Sequence, residues 1–395
     1  MPDPNPNPPK IGYLVPQFPG QTHIFFWREI AEMEKRGVDV QIFSTRMPPL
    51  GLIAHDWSTK AMARTHYLGA IRPWQALTAL PSVPWGEGRA LVRDVALSLS
   101  AARQLVTACR AKAISHVHVH SCGRAALIAA LARRLGGPTY SLTLHGALSD
   151  YGPGQRFKWR GAKFATIITE KLSAEVRVEL AGNLPARMIV QPMGVDTDVL
   201  ARVAPYVPPQ PGAPLRLFSC GRLHIVKGHQ DLMAAVRLLL DQGQPVSLDI
   251  AGEDDAGGTG YRRVLEARIT ELRLRDHVRL LGAIDADTVK QHLLDAHAFV
   301  LASWHEPLGV ALMEAMSCAV PTIGTAAGGV AELITDGVDG ILVPPKNPAL
   351  LVAAILSLGR DPARAIALGI AGRARVVSAF HAGLGAQTLI REIAG

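Results

Sequence analysis

Two glutamates, two cations and a group of histidines carry the spacing in this 395-residue chain that could do chemistry. Glu306 and Glu314 fall in Ser303-Trp304-His305-Glu306-Pro307-Leu308-Gly309-Val310-Ala311-Leu312-Met313-Glu314. Glu306 is expected in a loop, and Glu314 two turns inside the helix that the loop opens. So far apart, the carboxylates cannot share one proton; they suit different hydroxyl groups of one extended ligand. Pro307 and Gly309 stand where a first helical turn has spare N–H groups, and such a terminus attracts anions, phosphate especially. The plain alternative is a helix cap and a surface glutamate. The second motif, Gly221-Arg222-Leu223-His224-Ile225-Val226-Lys227-Gly228, follows an apolar strand. Its arginine offers a planar fork for phosphate oxygens and its lysine a point charge. The alternative there is a solvated loop with incidental charges.

The histidines His116, His118 and His120 alternate along a strand and share one face. Such a face could hold zinc; the preferred reading is three strand residues and no metal. Two acid pairs imitate a metal motif. Asp285-Ala-Asp287 is expected to start a helix, where Asp is favoured as a cap, and Asp196-Thr-Asp198 to lie in a turn. No metal site is assigned.

These residues need a scaffold, and the chain supplies a repeating one. Short apolar runs at Ile11–Val15, Val38–Phe43, His116–Val119, Thr139–Thr143, Ala165–Thr169 and Met188–Val190 alternate with helical patterns such as Thr22–Arg36 and Gly123–Leu135. A second set follows at Leu215–Ser219, Val246–Ala251, Val278–Leu281, Ala298–Leu301, Val320–Ile323 and Gly340–Val343, with helices expected at His229–Leu240 and Tyr261–Leu272. Strands apolar on both faces and separated by helices imply parallel sheets, hence two α/β domains. Prolines 205, 208, 209, 211 and 214 mark a semi-rigid linker at about 202–214. The expected domains are 1–204 and 213–377, with a C-terminal helix in 378–395 that could pack on either, the first included. Trp57–Lys112 carries three tryptophans, Trp57, Trp74 and Trp85, and a basic helix at Ala90–Arg110. It reads as a helical insertion or as a contact with a membrane surface.

The two charged motifs resemble the retaining glycosyltransferases of family 4, which have the GT-B fold: two Rossmann-like domains facing each other across a cleft. Glu306 and Glu314 match the family's E-x7-E signature, and Gly221-Arg222-Leu223 with Lys227-Gly228 matches its phosphate loop. Leu144-His145-Gly146, Pro192-Met193-Gly194-Val195-Asp196, Ala251-Gly252-Glu253, Gly328-Gly329-Val330-Ala331-Glu332 and Asp339-Gly340-Ile341-Leu342-Val343-Pro344-Pro345 agree in order. The opening Pro19-Gly20-Gln21-Thr22-His23-Ile24-Phe25 is similar to the polysaccharide-assembly branch. Leu308 stands where relatives often have Phe, and Met193 where they often have Asn.

The resemblance implies roles. The first domain would bind the acceptor and the second a UDP- or GDP-linked sugar. Glu314 would hold the ribose hydroxyls and Glu306 those of the donor sugar. Arg222 and Lys227 would neutralise the diphosphate, helped by Gly221 and the amides of Leu308 and Gly309. Gly20 would let its loop approach the phosphates, His145 would sit beside the transferred sugar, and His120 nearest the acceptor. Retention by same-face attack is implied, with no cofactor and no metal, since two cations and a helix terminus could replace a divalent ion. A lipid-linked saccharide in exopolysaccharide or cell-surface polysaccharide synthesis is the expected acceptor. An epimerase acting on nucleotide sugars, a synthase of a small soluble glycoside and a catalytically silent membrane-docking partner are the alternatives.

Charge is lopsided: the net +8 divides into +9 over residues 1–200 and −1 over the rest. A basic half suggests an anionic partner, either a phosphate-bearing substrate or an anionic membrane surface. No aromatic-basic motif or recognition helix points to nucleic acid. No apolar run reaches the roughly 18 residues of a membrane span. The first thirty residues lack a signal-peptide pattern, and Cys109, Cys122, Cys220 and Cys318 are scattered without metal spacing. The expectation is a cytoplasmic protein, peripheral on the inner face of the membrane if its acceptor is lipid-linked.

Overall fold

The computed structural model describes residues 9–20, 24–48, 57–69, 87–88, 90–210, 212–255 and 257–395. Trp74 and Trp85 of the tryptophan-bearing segment, and residues 21–23 of the opening motif, lie outside them. The chain forms two units. One holds Met1–Ile53, Trp57–Pro192 and Gly383–Gly395; the other holds Ala54–Asp56 and Met193–Ala382.

In the first unit the described strands are β1 Lys10–Val15, β2 Asp39–Ser44, β3 Thr65–Tyr67, β4 His116–His120, β5 Thr139–Leu144, β6 Phe164–Ile167 and β7 Arg187–Val190. All pair in parallel, in the order β3-β2-β1-β4-β5-β6-β7. The helices are α1 Ile24–Lys35, α2 Ser58–Arg64, α3 Ala90–Ala111, α4 Arg124–Arg134, α5 Gln155–Arg160 and α6 Glu170–Glu179. The short strand β3 had no sequence signal of its own; Thr65-His66-Tyr67 pairs with the end of β2.

The second unit repeats the plan with β8 Leu215–Cys220, β9 Val246–Ala251, β10 Val278–Gly282, β11 Ala298–Val300, β12 Thr322–Thr325 and β13 Ile341–Val343, parallel in the order β10-β9-β8-β11-β12-β13. Its helices are α7 His229–Asp241, α8 Tyr261–Glu271, α9 Ala286–Asp295, α10 Val310–Ser317, α11 Val330–Leu333, α12 Pro348–Arg360 and α13 Pro362–Ala379; α14, Ala382–Ala394, follows and enters the first unit. Local signals start several of these helices. Asp285, Asn347 and Asp361 cap α9, α12 and α13 through their side-chain oxygens, and proline follows directly in the last two. One face of α7, Leu232, Met233, Val236 and Leu239, is fully buried beside Leu217, Leu248 and Val300 of the strands. Each such side chain contributes roughly 1.5–3 kcal/mol by leaving water.

The chain enters the second unit at Met193, ahead of the proline-rich stretch 202–214, which lies within that unit. Its side chains tie it there: Arg202 donates to the Cys318 carbonyl at 3.0 Å, and the Tyr206 hydroxyl donates to that of His297 at 2.7 Å. Trp57 is also engaged. Its ring stacks on Trp27 at 5.5 Å and 12°, with Phe18 beside it.

Both sheets reverse their winding between a first strand and its out-of-sequence neighbour, β1 beside β4 and β8 beside β11. At such a switch point the loops leaving the carboxyl ends of the strands part, and ligands bind in the opening.

Candidate functional site

The second unit's switch point gathers the charged motifs. The loop after β8 runs through Gly221 and Arg222 into a single 3₁₀ turn, Ile225–Lys227. The stretch after β11 carries Ser303 and Glu306. Lys227 Nζ donates to Glu306 Oε2 at 2.6 Å, and Ser303 Oγ donates to the same oxygen at 3.1 Å. The lysine and glutamate side chains are 18% and 9% exposed, so the pair sits at the mouth of the fold with its charges balanced. Arg222 is exposed, 3.2 Å from Asp255 Oδ2.

Two glycines let these loops close on each other. Gly228 has φ +67°, and a Cβ there would lie 1.8 Å from the Ala302 carbonyl oxygen. Gly328 has φ +74°, and a Cβ there would lie 2.0 Å from the Glu306 carbonyl oxygen, to which Gly329 N–H donates at 2.9 Å. Only a residue without a side chain fits either position. The Trp304 N–H donates to the Val226 carbonyl at 2.7 Å, clipping the lysine loop to the glutamate loop. Thr325 Oγ1 donates to the Ser303 carbonyl at 2.5 Å.

Leu308 is buried, and Gly309, at φ +99°, is the corner that opens α10. Because α10 starts at Val310, Glu314 stands about one turn inside it rather than two. Its charge is felt at two thiols. Burial, joined by the Glu314 charge, pushes Cys220 up to about 12 and Cys318 up to about 11. Lys227 also acts on Cys220, the last residue of β8.

In the first unit His145 and His120 come together, while Gly20 is buried in the loop after β1. The three histidines of β4 stand opposite Thr139, Ser141 and Thr143 of β5 in strict register. His116 bonds Thr139 Oγ1 and Ser141 Oγ, both at 2.8 Å; His118 bonds Ser141 Oγ at 2.7 Å and Thr143 Oγ1 at 2.8 Å. Phe164 stacks beside both rings. Burial, with the Lys163 charge, pushes His116 down to about 3, and burial drives His118 well below its usual range. Both are neutral rungs of a polar ladder. At the end of the ladder His120 Nδ1 meets His145 Nε2 at 3.0 Å, and His120 Nε2 meets Glu29 Oε2 at 2.9 Å. Tyr13 donates to that same Glu29 oxygen at 2.7 Å.

Glu29 and Tyr13 were not among the sequence candidates. A signal existed: α1 buries Phe26, Ile30 and Met33 on one face, and Glu29 stands among them. A carboxylate inside an apolar stripe must have partners. Ser303 lay inside the quoted motif without a role, and Asp255 had no signal. Asp285 takes two bonds at 2.8 Å from Thr288, its N–H and its hydroxyl, and the N–H bond leads in holding the carboxyl below its usual range. Asp196 accepts from the Asp198 and Val199 amides. Among the described residues no three His, Cys, Asp or Glu side chains converge so as to hold a metal ion, and no helix is long and apolar enough to cross a membrane.

Two family models match, "Glycosyl transferases group 1" over residues 207–375 and "Glycosyl transferase 4-like domain" over 23–175. The amylovoran biosynthesis glycosyltransferase AmsK of Erwinia amylovora is 32% identical over 42% of this chain and 42% of its own. Alpha-maltose-1-phosphate synthase of Mycolicibacterium smegmatis is 29% identical over 74% of this chain and 81% of its own. The chain thus spans less than half of AmsK and most of the synthase. Among solved structures, Anabaena HepE in complex with UDP-glucose superposes with a TM-score of 0.76 at 18% identity, covering 98% of this chain and 99% of that one.

Proposed function

Since this chain is a GT-B glycosyltransferase of family 4, we propose that it takes its sugar from a UDP- or GDP-linked donor, keeps the anomeric configuration and needs no metal ion. The observation that carries the reading is the Lys227–Glu306 pair beside Arg222 at the β8/β11 switch point. The bond that breaks joins the anomeric carbon to the diphosphate, and negative charge grows on the departing phosphate. Lys227 and Arg222 stabilise that charge, with Gly221 and the amides of Leu308 and Gly309 beside them. Charge placed in advance costs no reorganisation in the transition state, and each such group is worth roughly 3–4 kcal/mol. Glu306, released from Lys227 as the lysine turns to phosphate, accepts hydrogen bonds from the donor sugar's hydroxyls. Glu314 holds the ribose. Gly20 gives the loop after β1 room at the phosphates, His145 lies beside the transferred sugar and His120 towards the acceptor. The acceptor attacks the face that the phosphate leaves, and a departing phosphate oxygen takes its proton. HepE's complexes with UDP and UDP-glucose support a nucleotide-sugar donor.

The acceptor we propose is a lipid-linked saccharide of cell-surface polysaccharide synthesis, with the chain working in the cytoplasm, peripheral to the membrane. The basic first half and the likeness to AmsK, an amylovoran biosynthesis glycosyltransferase, support this. The match to the maltose-1-phosphate synthase over most of its length favours a second reading, a small soluble acceptor. Labelled donor, offered with and without lipid acceptor, separates the two.

A thermal-shift screen of UDP- and GDP-sugars in excess EDTA tests the donor reading. A ligand at a hundred times its Kd adds about 3 kcal/mol of stability, so one donor should raise the melting temperature by several degrees with EDTA present. A rise that needs Mg²⁺ or Mn²⁺ would overturn metal independence. No rise with any nucleotide sugar would overturn the donor assignment.

A further inference from the structure

One residue grips the chain on both sides of Lys227. The backbone N–H of Trp304 donates to the Val226 carbonyl at 2.7 Å, one residue before the lysine. The indole N–H of Trp304 donates to Asp231 Oδ2 at 2.5 Å, four residues after it. The stretch between these grips is fastened to itself. Gln230 Nε2 donates to the Ile225 carbonyl at 3.0 Å, and the Lys227 and Gly228 amides donate back to His224 and Ile225. The 3₁₀ turn and the first turn of α7 thus form one piece. Trp304 is also two residues from Glu306, whose carbonyl accepts from Gly329, and Thr325 holds the Ser303 carbonyl on its other side. Backbone and side chain of a single tryptophan therefore join the loop that carries the lysine to the loop that carries the glutamate. Lys346 Nζ lies over the indole face, 4.1 Å from the ring centroid, on a backbone at φ +58° that few residues other than glycine adopt. A carboxylate at the N–H edge and a cation on the face hold the ring from two directions.

We propose that Trp304 is a positioning residue whose indole bond to Asp231 sets where Lys227 and Glu306 stand for the reaction. The chemical role of that pair rests on the function proposed above; the bond does not. Packing alone would be met by any large apolar side chain at this position. What the indole adds is a directed bond that spans the two loops, and phenylalanine cannot make it. The lysine needs such a brace. Its charge sits at the end of a flexible four-carbon arm, so the backbone beneath it must be fixed if the ammonium is to meet a phosphate at a set place. A misplacement of about 1 Å at a reacting group can cost about 100-fold in rate.

Two variants of the full chain cut the bond from opposite ends. Trp304→Phe keeps an aromatic face for Lys346 and loses the N–H, while Asp231→Ala removes the acceptor. Without ligand, ¹⁵N-tryptophan labelling reads the indole, and the signal missing from Trp304→Phe is that of Trp304. In the wild type it should lie downfield, as for an N–H given to a carboxylate, and Asp231→Ala should move it upfield. A Trp304 signal that Asp231→Ala leaves in place overturns the proposal. Turnover is read with the UDP- or GDP-sugar that gives the wild type its largest melting shift, as release of free UDP or GDP on transfer to water. Each variant should lose about 10- to 100-fold in kcat, the scale of a misplaced reacting group, at an unchanged KM for that donor. The double variant should be no slower than the slower single one, because both changes break the same bond. Wild-type kcat in a folded variant, a loss confined to KM, or losses that add in the double variant would each overturn the proposal. If one variant fails to fold, the other carries the kcat and KM comparison. A wild type that binds no UDP- or GDP-sugar refutes the donor assignment instead, and the indole signal still decides the bond.

Discussion

At the residue scale the Lys227–Glu306 pair does two things. It keeps a cation and a carboxylate in balance before a ligand arrives, and it stores both where a sugar diphosphate presents an anion and hydroxyl groups. Lys227→Ala should lower kcat by about 10²–10³-fold, the loss typical of one preorganised group facing a developing oxyanion, and Glu306→Ala should also remove most transfer. Circular dichroism and melting should show both variants folded, because each side chain is partly open to water. Full turnover by either folded variant would remove it from the proposed chemistry. These residues were legible because each lies in a short stretch whose glycines and charges are close in sequence. The first unit's network was half legible. The alternation of His116, His118 and His120 showed a shared face, and Thr139, Ser141, Thr143 and His145 follow the same period of two. What no pattern showed was which face met which, or that Glu29 joins the end. That junction links residues far apart in the chain, and only the β1/β4 and β4/β5 pairings bring them together.

At the scale of elements, strands and helices were legible wherever an apolar run had a clear period and punctuated ends. The α7, α8 and α9 starts fall beside Gly228, Gly260 and Asp285. Proline composition marks an extended backbone, which need not be a domain edge. Here the extended stretch is bound along the second unit through Arg202, Tyr206 and the Leu200 carbonyl. The loop between β8 and α7 is held by shape more than by charge. Gly228→Ala should therefore lower the melting temperature even though it removes no polar group. The new methyl would lie 1.8 Å from a backbone oxygen, so the loop or β11 must shift. Lys227 would move with it, and we expect nucleotide-sugar binding to weaken along with stability. A variant that melts and binds like the wild type would show that the close approach is not needed.

Across the whole molecule, both units carry buried neutral histidines, and this sets how the fold responds to acid. His116 is held near about 3, His229 and His297 near about 4, and His118 well below its usual range, in each case first by burial. In the unfolded chain these rings take up a proton as the pH falls through 6.5. In the folded chain they do not, so the unfolded state binds more protons and stability falls with pH. The contribution is complete above 6.5 and is lost steadily on the way down to the folded values. Glu29 acts in the opposite sense, since its raised carboxyl takes up a proton earlier in the folded state, but it is one group against four. Carboxylates held low by ion pairs destabilise further only below about pH 5, which leaves the window between 6.5 and about 5 to the histidines. Urea unfolding followed across that window should show an uptake of about three protons. The midpoint should fall throughout. A flat profile would mean that the rings are already protonated in the native state.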